Sequence, residues 1–370
     1  MVAAALTAMG TIPALAQTPS SGQHKVAVST SLAIVGELSS VAAVSPNDAW
    51  AVGFSGDPET GGPDAKTLIL HWNGERWAKF ENPKPVVGGL ISVSAVTADN
   101  IWAVGYTGNS VISSQRVLIL HWNGKEWSRQ TNVPLVHGTL FAVTTYRGTV
   151  WAVGTTDGLP ALILHLVNNH WYVVPANVPS YSNLWGVIQT GPKEAWSGGS
   201  YYSGKGGSYI MRWNGSVWTR VASLLSGPGN ALTGMAQGPG GAIWAIGVYT
   251  NSQDVYSATS EVWNGKAWRK IPVAAPPNSS WGDIAFVAGG TAWAIGSVGF
   301  ARFATFTMRW TGKTWQRVPS PAPGYDSGLS SVAATSADDA WTVGSFYPSA
   351  NTTAVPAKTL ILHWNGKVWS

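Results

Sequence analysis

From Leu38 the chain reads "LSSVAAVSPNDAWAVG", then after an interval "TLILHWNGERWAKF" at 67–80. Small and apolar residues alternate in "LSSVAAV", and alternation with period two is the signature of a strand with one face buried. A polar turn, "SPND", separates it from a second run, "AWAVG". "TLILHW" and "RWAKF" form a third and a fourth, joined by Asn-Gly at 73–74. Asn-Gly tolerates positive φ at both central positions, so it predicts a tight two-residue hairpin. No stretch carries the 3.6-residue period of an amphipathic helix.

The pattern then repeats. Equivalent first runs begin at Leu38, Leu90, Leu140, Leu184, Leu232, Trp281 and Leu329. The second run carries Trp50, Trp102, Trp151, Trp196, Trp244, Trp293 and Trp341, and the fourth Trp77, Trp127, Trp171, Trp218, Trp268, Trp315 and Trp369. The third run ends in Trp72, Trp122, Trp213, Trp263, Trp310 and Trp364, with Leu166 in the third copy. Twenty of the 22 tryptophans fall on these second-, third- and fourth-run positions; Trp185 and Trp281, both in first runs, do not. Asn-Gly recurs at 123–124, 214–215, 264–265 and 365–366, while Thr311-Gly312 and Asn168-Asn169 are weaker versions. Recurrence every ~45–52 residues marks a repeat architecture.

Seven copies of four antiparallel strands predict an all-β, seven-bladed β-propeller. A lone four-stranded sheet buries neither face; radial stacking buries both. The small residues Ser40, Ser92, Ala142, Gly186, Gly234 and Ser331 suit the hub, where sheets converge. Residues 38–370 make up the propeller. Residues 17–37 precede it, and Val26, Ala27 and Val28 are expected to complete or pair with the outer edge of the last blade.

Composition adds little chemistry. Charged residues are 11% of the chain, against a usual ~25%. The net charge of +5 is spread around hairpin turns, as at Lys125, Arg129, Lys266, Arg269 and Lys270, with no run that reads as a nucleic-acid or membrane patch. There is no cysteine, which excludes disulfides, thiol catalysis and cysteine-held metal. "MVAAALTAMGTIPALA", residues 1–16, fits the apolar and cleavage regions of a secretory signal, so export is expected, with a mature chain starting near Gln17. No segment reads as an integral membrane span, and neither cofactor nor metal is expected.

The layout resembles the kelch and galactose-oxidase-like propeller group: a strand ending in glycine, a turn, then a strand carrying tryptophan. A single glycine (Gly53, Gly105, Gly154) stands where kelch repeats usually carry a pair, which appears here only at Gly198-Gly199. The units are also similar to the "DxWAVG…LxHWNGxxW" repeats of uncharacterised secreted bacterial proteins. These resemblances imply fold and export. The sialidase-type acidic hairpin box and the Trp-Asp dipeptide of WD repeats are both missing.

His71, His121, His165 and His363 occupy equivalent positions, so symmetry spreads them around a ring and they cannot converge on one metal or substrate. His24, His137 and His170 have no partners at ligand spacing. Asp48, Glu194, Asp338 and Asp339 belong to the first turn and are expected to stabilise it or to face solvent. Asp283 stands where other copies carry Ser, Ala or Gly, and is the single acidic candidate for a catalytic role near the central channel. The loops after "WAVG" vary in length, and with the interblade links they should form one face, rich in Phe54, Tyr106, Tyr181, Tyr201, Tyr202, Tyr249, Tyr325, Phe346 and Tyr347, with Trp185 and Trp281 at its inner margin. Function concentrates in such loops on a rigid scaffold. The expected ligand-binding set is Tyr106, Trp185, Tyr201, Tyr202, Tyr249, Trp281, Tyr325 and Tyr347. Three functions stay open: a monomeric binder of a glycan or extracellular protein, a polysaccharide hydrolase or lyase at the channel mouth, and a structural surface module.

Overall fold

The computed structural model describes residues 34–56, 65–80, 83–108, 114–134, 136–157, 160–225, 227–352 and 355–370. They form seven antiparallel sheets. In the first, β1 (Gly36–Ser45), β2 (Asp48–Ser55), β3 (Lys66–Trp72) and β4 (Trp77–Lys79) follow each other in chain order from hub to rim. Five more four-stranded blades span 88–129, 138–173, 182–221, 231–271 and 279–318. The seventh has three strands, Asp326–Ser336, Asp339–Tyr347 and Lys358–Trp364, and Trp369 and Ser370 pair with its third strand to begin a fourth. The chain is a seven-bladed β-propeller.

The repeated tryptophans explain how the blades join. At six of the seven junctions the second-strand indole inserts between the third- and fourth-strand indoles of the next blade; Trp102 meets only Trp171, because blade three has Leu166 in place of the third-strand tryptophan. Trp50 lies 4.9 Å from Trp122 and 5.4 Å from Trp127. The same pairing links Trp151 to Trp213 and Trp218, Trp196 to Trp263 and Trp268, Trp244 to Trp310 and Trp315, and Trp293 to Trp364 and Trp369. Trp341 of blade seven meets Trp72 and Trp77 of blade one at 4.8 and 5.2 Å, so the seam runs around a closed circle. Each such ring removes ~150–250 Å² from water, and each pair adds ~0.5–1.5 kcal/mol beyond that burial.

Backbone contacts close the ring in the same way. Lys66 bridges to Val87 and Arg116 to His137, where a third strand meets the residue before the next blade; Lys358 bridges to Val35. Gly36 N–H donates to Ala357 O at 2.9 Å, as Gly88 N–H donates to Ala65 O. Val26, Ala27 and Val28 lie outside the described residues.

The single glycine of "WAVG" has a steric cause. The first strand bulges between Leu38 and Ser40, opposite Gly53. A Cβ on Gly53 would stand 2.0 Å from Glu37 O, and all seven equivalent glycines show the same approach, at 1.9–2.0 Å.

The hairpins differ from expectation. Trp72 pairs directly with Trp77, so the loop is the four residues Asn73–Arg76, with positive φ at Gly74 and not at Asn73. Asn73 is there for its Oδ1, which accepts from Glu75 N–H and Arg76 N–H at 3.1 and 3.0 Å. Of the hairpins between third and fourth strands, only Asn168-Asn169 forms the two-residue turn with positive φ at both positions, between Val167 and His170; Arg147-Gly148 does the same between Tyr146 and Thr149 of the first two strands of blade three.

Candidate functional site

At the hub, bulge-flanking side chains tie one first strand to the next. Ser40 Oγ accepts from Val93 N–H at 3.1 Å, Ser92 Oγ from Val143 N–H at 2.9 Å, and Ser331 Oγ from Val41 N–H at 3.3 Å. Asp283 takes the same post in blade six: its Oδ2 accepts from Val332 N–H at 3.1 Å and from the Ser331 hydroxyl at 2.8 Å. Its Oδ1 accepts from Ile284 N–H at 2.7 Å. Asp283 is 1% exposed, so it sits inside the hub wall and not on a water-filled channel. Burial pushes its carboxyl up to about 7, against the three hydrogen bonds, which favour the charged form. Glu261 is likewise buried, accepting from the Ser223 hydroxyl and Leu224 N–H, and burial raises its pKa.

The histidines form a cassette within each blade. His71 stacks on Trp50 at 4.1 Å and meets Asp48 Oδ1 at 2.9 Å. His363 packs on Trp341 and meets Asp339 Oδ1 at 2.7 Å. In blade four Arg212 covers Trp196 and pairs with Glu194 at 2.7 Å. The first-turn acids Asp48, Glu194 and Asp339 therefore serve the third strand. Blade five carries Ala242 and Val262 at the two positions, so basic and acidic partners are lost together. Blade three keeps His165 but has Thr149 for the acid; Nε2 of His165 has no partner, and burial lowers the ring to about 4.

The loop face carries the expected aromatics, though not as one set. Residues 57–64, 109–113 and 353–354 of its loops lie outside the described residues. Trp185 stacks on Phe141 of the preceding blade, with centroids 4.4 Å apart and planes 18° apart. Its indole N–H donates to Ser200 Oγ at 2.9 Å, and that hydroxyl donates to the Tyr202 phenol oxygen at 3.3 Å. Trp185 is half-buried, and Tyr202 is 62% exposed. Phe141, Trp185, Ser200 and Tyr202 thus form one linked group at the inner margin of blades three and four, of which Trp185 and Tyr202 reach the surface. Tyr106 packs over Gly89, 3.2 Å from where a Cβ would lie, and burial and then the Glu37 carboxylate raise its phenol.

The other candidates stand apart. Tyr201 is edge-on to the buried Tyr209, under the Arg220 guanidinium at 5.2 Å. Tyr249 lies under Lys270 at 5.0 Å and Tyr325 under Arg302 at 4.5 Å. Tyr347 pairs with Asp326 at the outer end of the first two strands of blade seven. Trp281 is 1% exposed, stacked on Phe306 at 4.9 Å; it fills the core position that Leu38 fills in blade one, so its ring is closed to a ligand. Sequence reasoning missed Phe141, although Ile91, Phe141 and Trp185 stand at one position in three successive copies. It also missed Phe300, 80% exposed in the blade-six loop.

No family model matches the chain, and no curated protein sequence matches it. Among solved structures it is similar to a polysaccharide lyase, the PL25 ulvan lyase bound to -[GlcA(1-4)Rha3S]-, at 9% identity and a TM-score of 0.57, over 92% of this chain and 96% of that one. YCF48 bound to D1 peptide matches at 15% identity and a TM-score of 0.48, over 77% and 81%. YjhT matches at 10% identity and 0.49, over 78% and 98%. Likeness at these identities is likeness of fold.

Proposed function

We propose that this protein is an exported β-propeller of kelch-like type that binds a glycan through its loop face without transforming it. The observation that carries this reading is the Trp185 ring, half-open to solvent, stacked on Phe141 and held by Ser200. A fixed indole offers a flat apolar surface to the C–H face of a sugar. The exposed Tyr202 hydroxyl, linked to Trp185 through the buried Ser200, offers a partner to its hydroxyls. Ordering such a surface before binding lowers the entropy lost on association.

The test is a glycan-array screen of the mature chain and its Trp185→Ala variant. The reading expects a glycan signal that the variant weakens at least tenfold while melting as the parent does. Signal equal in both proteins, or none, would reject it. A second reading, turnover of a polysaccharide at the channel mouth, has lost Asp283 to the hub wall and rests on Glu37 beside Tyr106. New reducing or unsaturated ends from a polysaccharide panel, absent with Tyr106→Phe, would favour it.

A further inference from the structure

The seam of indoles has one interruption. At six junctions a third-strand tryptophan packs against the second-strand tryptophan of the preceding blade. The six centroid separations run from 4.7 to 5.6 Å, with planes 48–62° apart. Between blades two and three that residue is Leu166, and Trp102 meets only the fourth-strand Trp171, at 5.7 Å. A cavity of about 500 Å³ lies there, lined by Trp102, His121, Asn100, Thr149 and Leu166 among others. It opens on the face of the first turns and hairpins, at the opposite end of the ring from Trp185. Ligand sites commonly run from ~300 to ~1,000 Å³.

The groups that hold the Trp102 edge, Asn100 and His121, are fixed and uncharged, and Asp99 is the acidic residue of the lining. Asn100 stands where blades one and seven carry aspartate. Its Oδ1 accepts from the Trp102 indole N–H at 2.9 Å and from His121 Nε2 at 3.0 Å. Because an indole N–H only donates, the carboxamide oxygen must face it, and His121 must then carry its proton on Nε2. Burial lowers the His121 pKa, which favours that neutral form. In five other blades the second-strand indole N–H has no protein partner, at Trp50, Trp151, Trp196, Trp293 and Trp341. The blade-two indole alone is pinned by its own turn in this way. Trp102 is 5% exposed, so it presents an edge and not an open platform for a sugar ring.

We infer that this cavity is a binding site for a planar aromatic ring of indole size, which enters where the other six junctions hold their own tryptophan. The guest ring then lies about 5 Å from Trp102 at a tilt like that of its internal counterparts, with Thr149 and Asn100 offering polar contacts at the open side. This site is independent of the loop face and of any glycan bound there.

The experiment uses the whole mature chain and free indole, read by ligand-observed NMR and by the shift in melting temperature. Wild type should bind saturably. Leu166→Trp places a tryptophan where six blades already have one; it should fold, melt no lower than wild type, and bind indole at least tenfold more weakly. If that variant fails to fold, Leu166→Phe gives the same reading with a smaller ring. N-acetyltryptophanamide distinguishes the source of the ring. Binding of both compounds points to an aromatic side chain of a protein partner, and binding of indole alone to a free small molecule. No indole binding by wild type, or equal binding by the filled variant, would overturn the inference.

Discussion

Replacing Asp283 with Asn should make the propeller more stable at pH 8 and should remove a pH dependence. The carboxyl is buried in the hub wall with an apparent pKa of about 7, against an ordinary value of 3.8. Between those values the folded protein holds a proton that the unfolded chain has released. Stability therefore falls as pH rises from about 4 to about 7 and is level above, the reverse of the usual behaviour of a paired carboxylate. A shift of that size corresponds to ~1.4 kcal/mol per unit, so the ionised form costs on the order of 2–4 kcal/mol at pH 8. The amide keeps an acceptor for Val332 N–H and the Ser331 hydroxyl, while the contact with Ile284 N–H is lost at a cost of ~1 kcal/mol. The expected net gain at pH 8 is ~1–3 kcal/mol, which for a chain this long raises the melting temperature by roughly 1–4 °C. At pH 4.5 the gain should vanish or turn into a small loss. Calorimetric melts of both proteins between pH 4.5 and 8.5 measure the difference directly, and other titrating groups cancel in it. Parallel curves would show that Asp283 ionises freely and that its burial has been misjudged.

Further expectations follow from single contacts. Gly53→Ala would set a methyl 2.0 Å from Glu37 O and should cost about 3 kcal/mol or more, read as a lowered melt with any bulge-free rearrangement visible in amide exchange. His165, depressed to about 4 by burial with no acid beside it, should titrate far below the ordinary 6.5 in histidine-selective NMR. Since the unfolded ring protonates first, its contribution to stability grows as pH rises from about 4 to 6.5. Thr149→Asp, which installs the acid found in blades one, four and seven, should raise that midpoint by about a unit or more; an unmoved midpoint would refute the cassette.

The blade plan was legible because the same burial problem is solved seven times, so each landmark residue is read against six others. Trp50 and its counterparts identify the seam, and Leu166 was visible as the exception. The hairpin was misread because Asn-Gly has two uses. Its positive-φ tolerance suits a two-residue turn, but cross-strand pairing of Trp72 with Trp77 requires four, and the Asn side chain then closes the loop. Trp281 looked like a loop aromatic because it is off the tryptophan pattern, yet its alignment with Leu38 already marked a core position. Asp283 aligned with Ser40 and Ser331 in the same way, but only coordinates show that this position accepts a neighbouring blade's N–H. The Phe141–Trp185 stack joins two blades and depends on the distance between them, which no single repeat encodes.

The closed ring is tested most directly at the join of blade seven to blade one. Val35 and Lys358 face each other as an antiparallel pair whose flanking residues make the hydrogen bonds, Gly36 to Ala357 and Thr359 to Ile34. Such pairs bring Cα atoms to ~4.5 Å, within disulfide reach. The chain has no cysteine of its own, so Val35→Cys with Lys358→Cys carries the only two. Air oxidation should link them within one molecule and raise the melting temperature, as the same pair of changes at Lys66 and Val87 should between blades one and two. Free thiols at 35 and 358, alongside a bridge formed at 66 and 87, would mean that the circle is open.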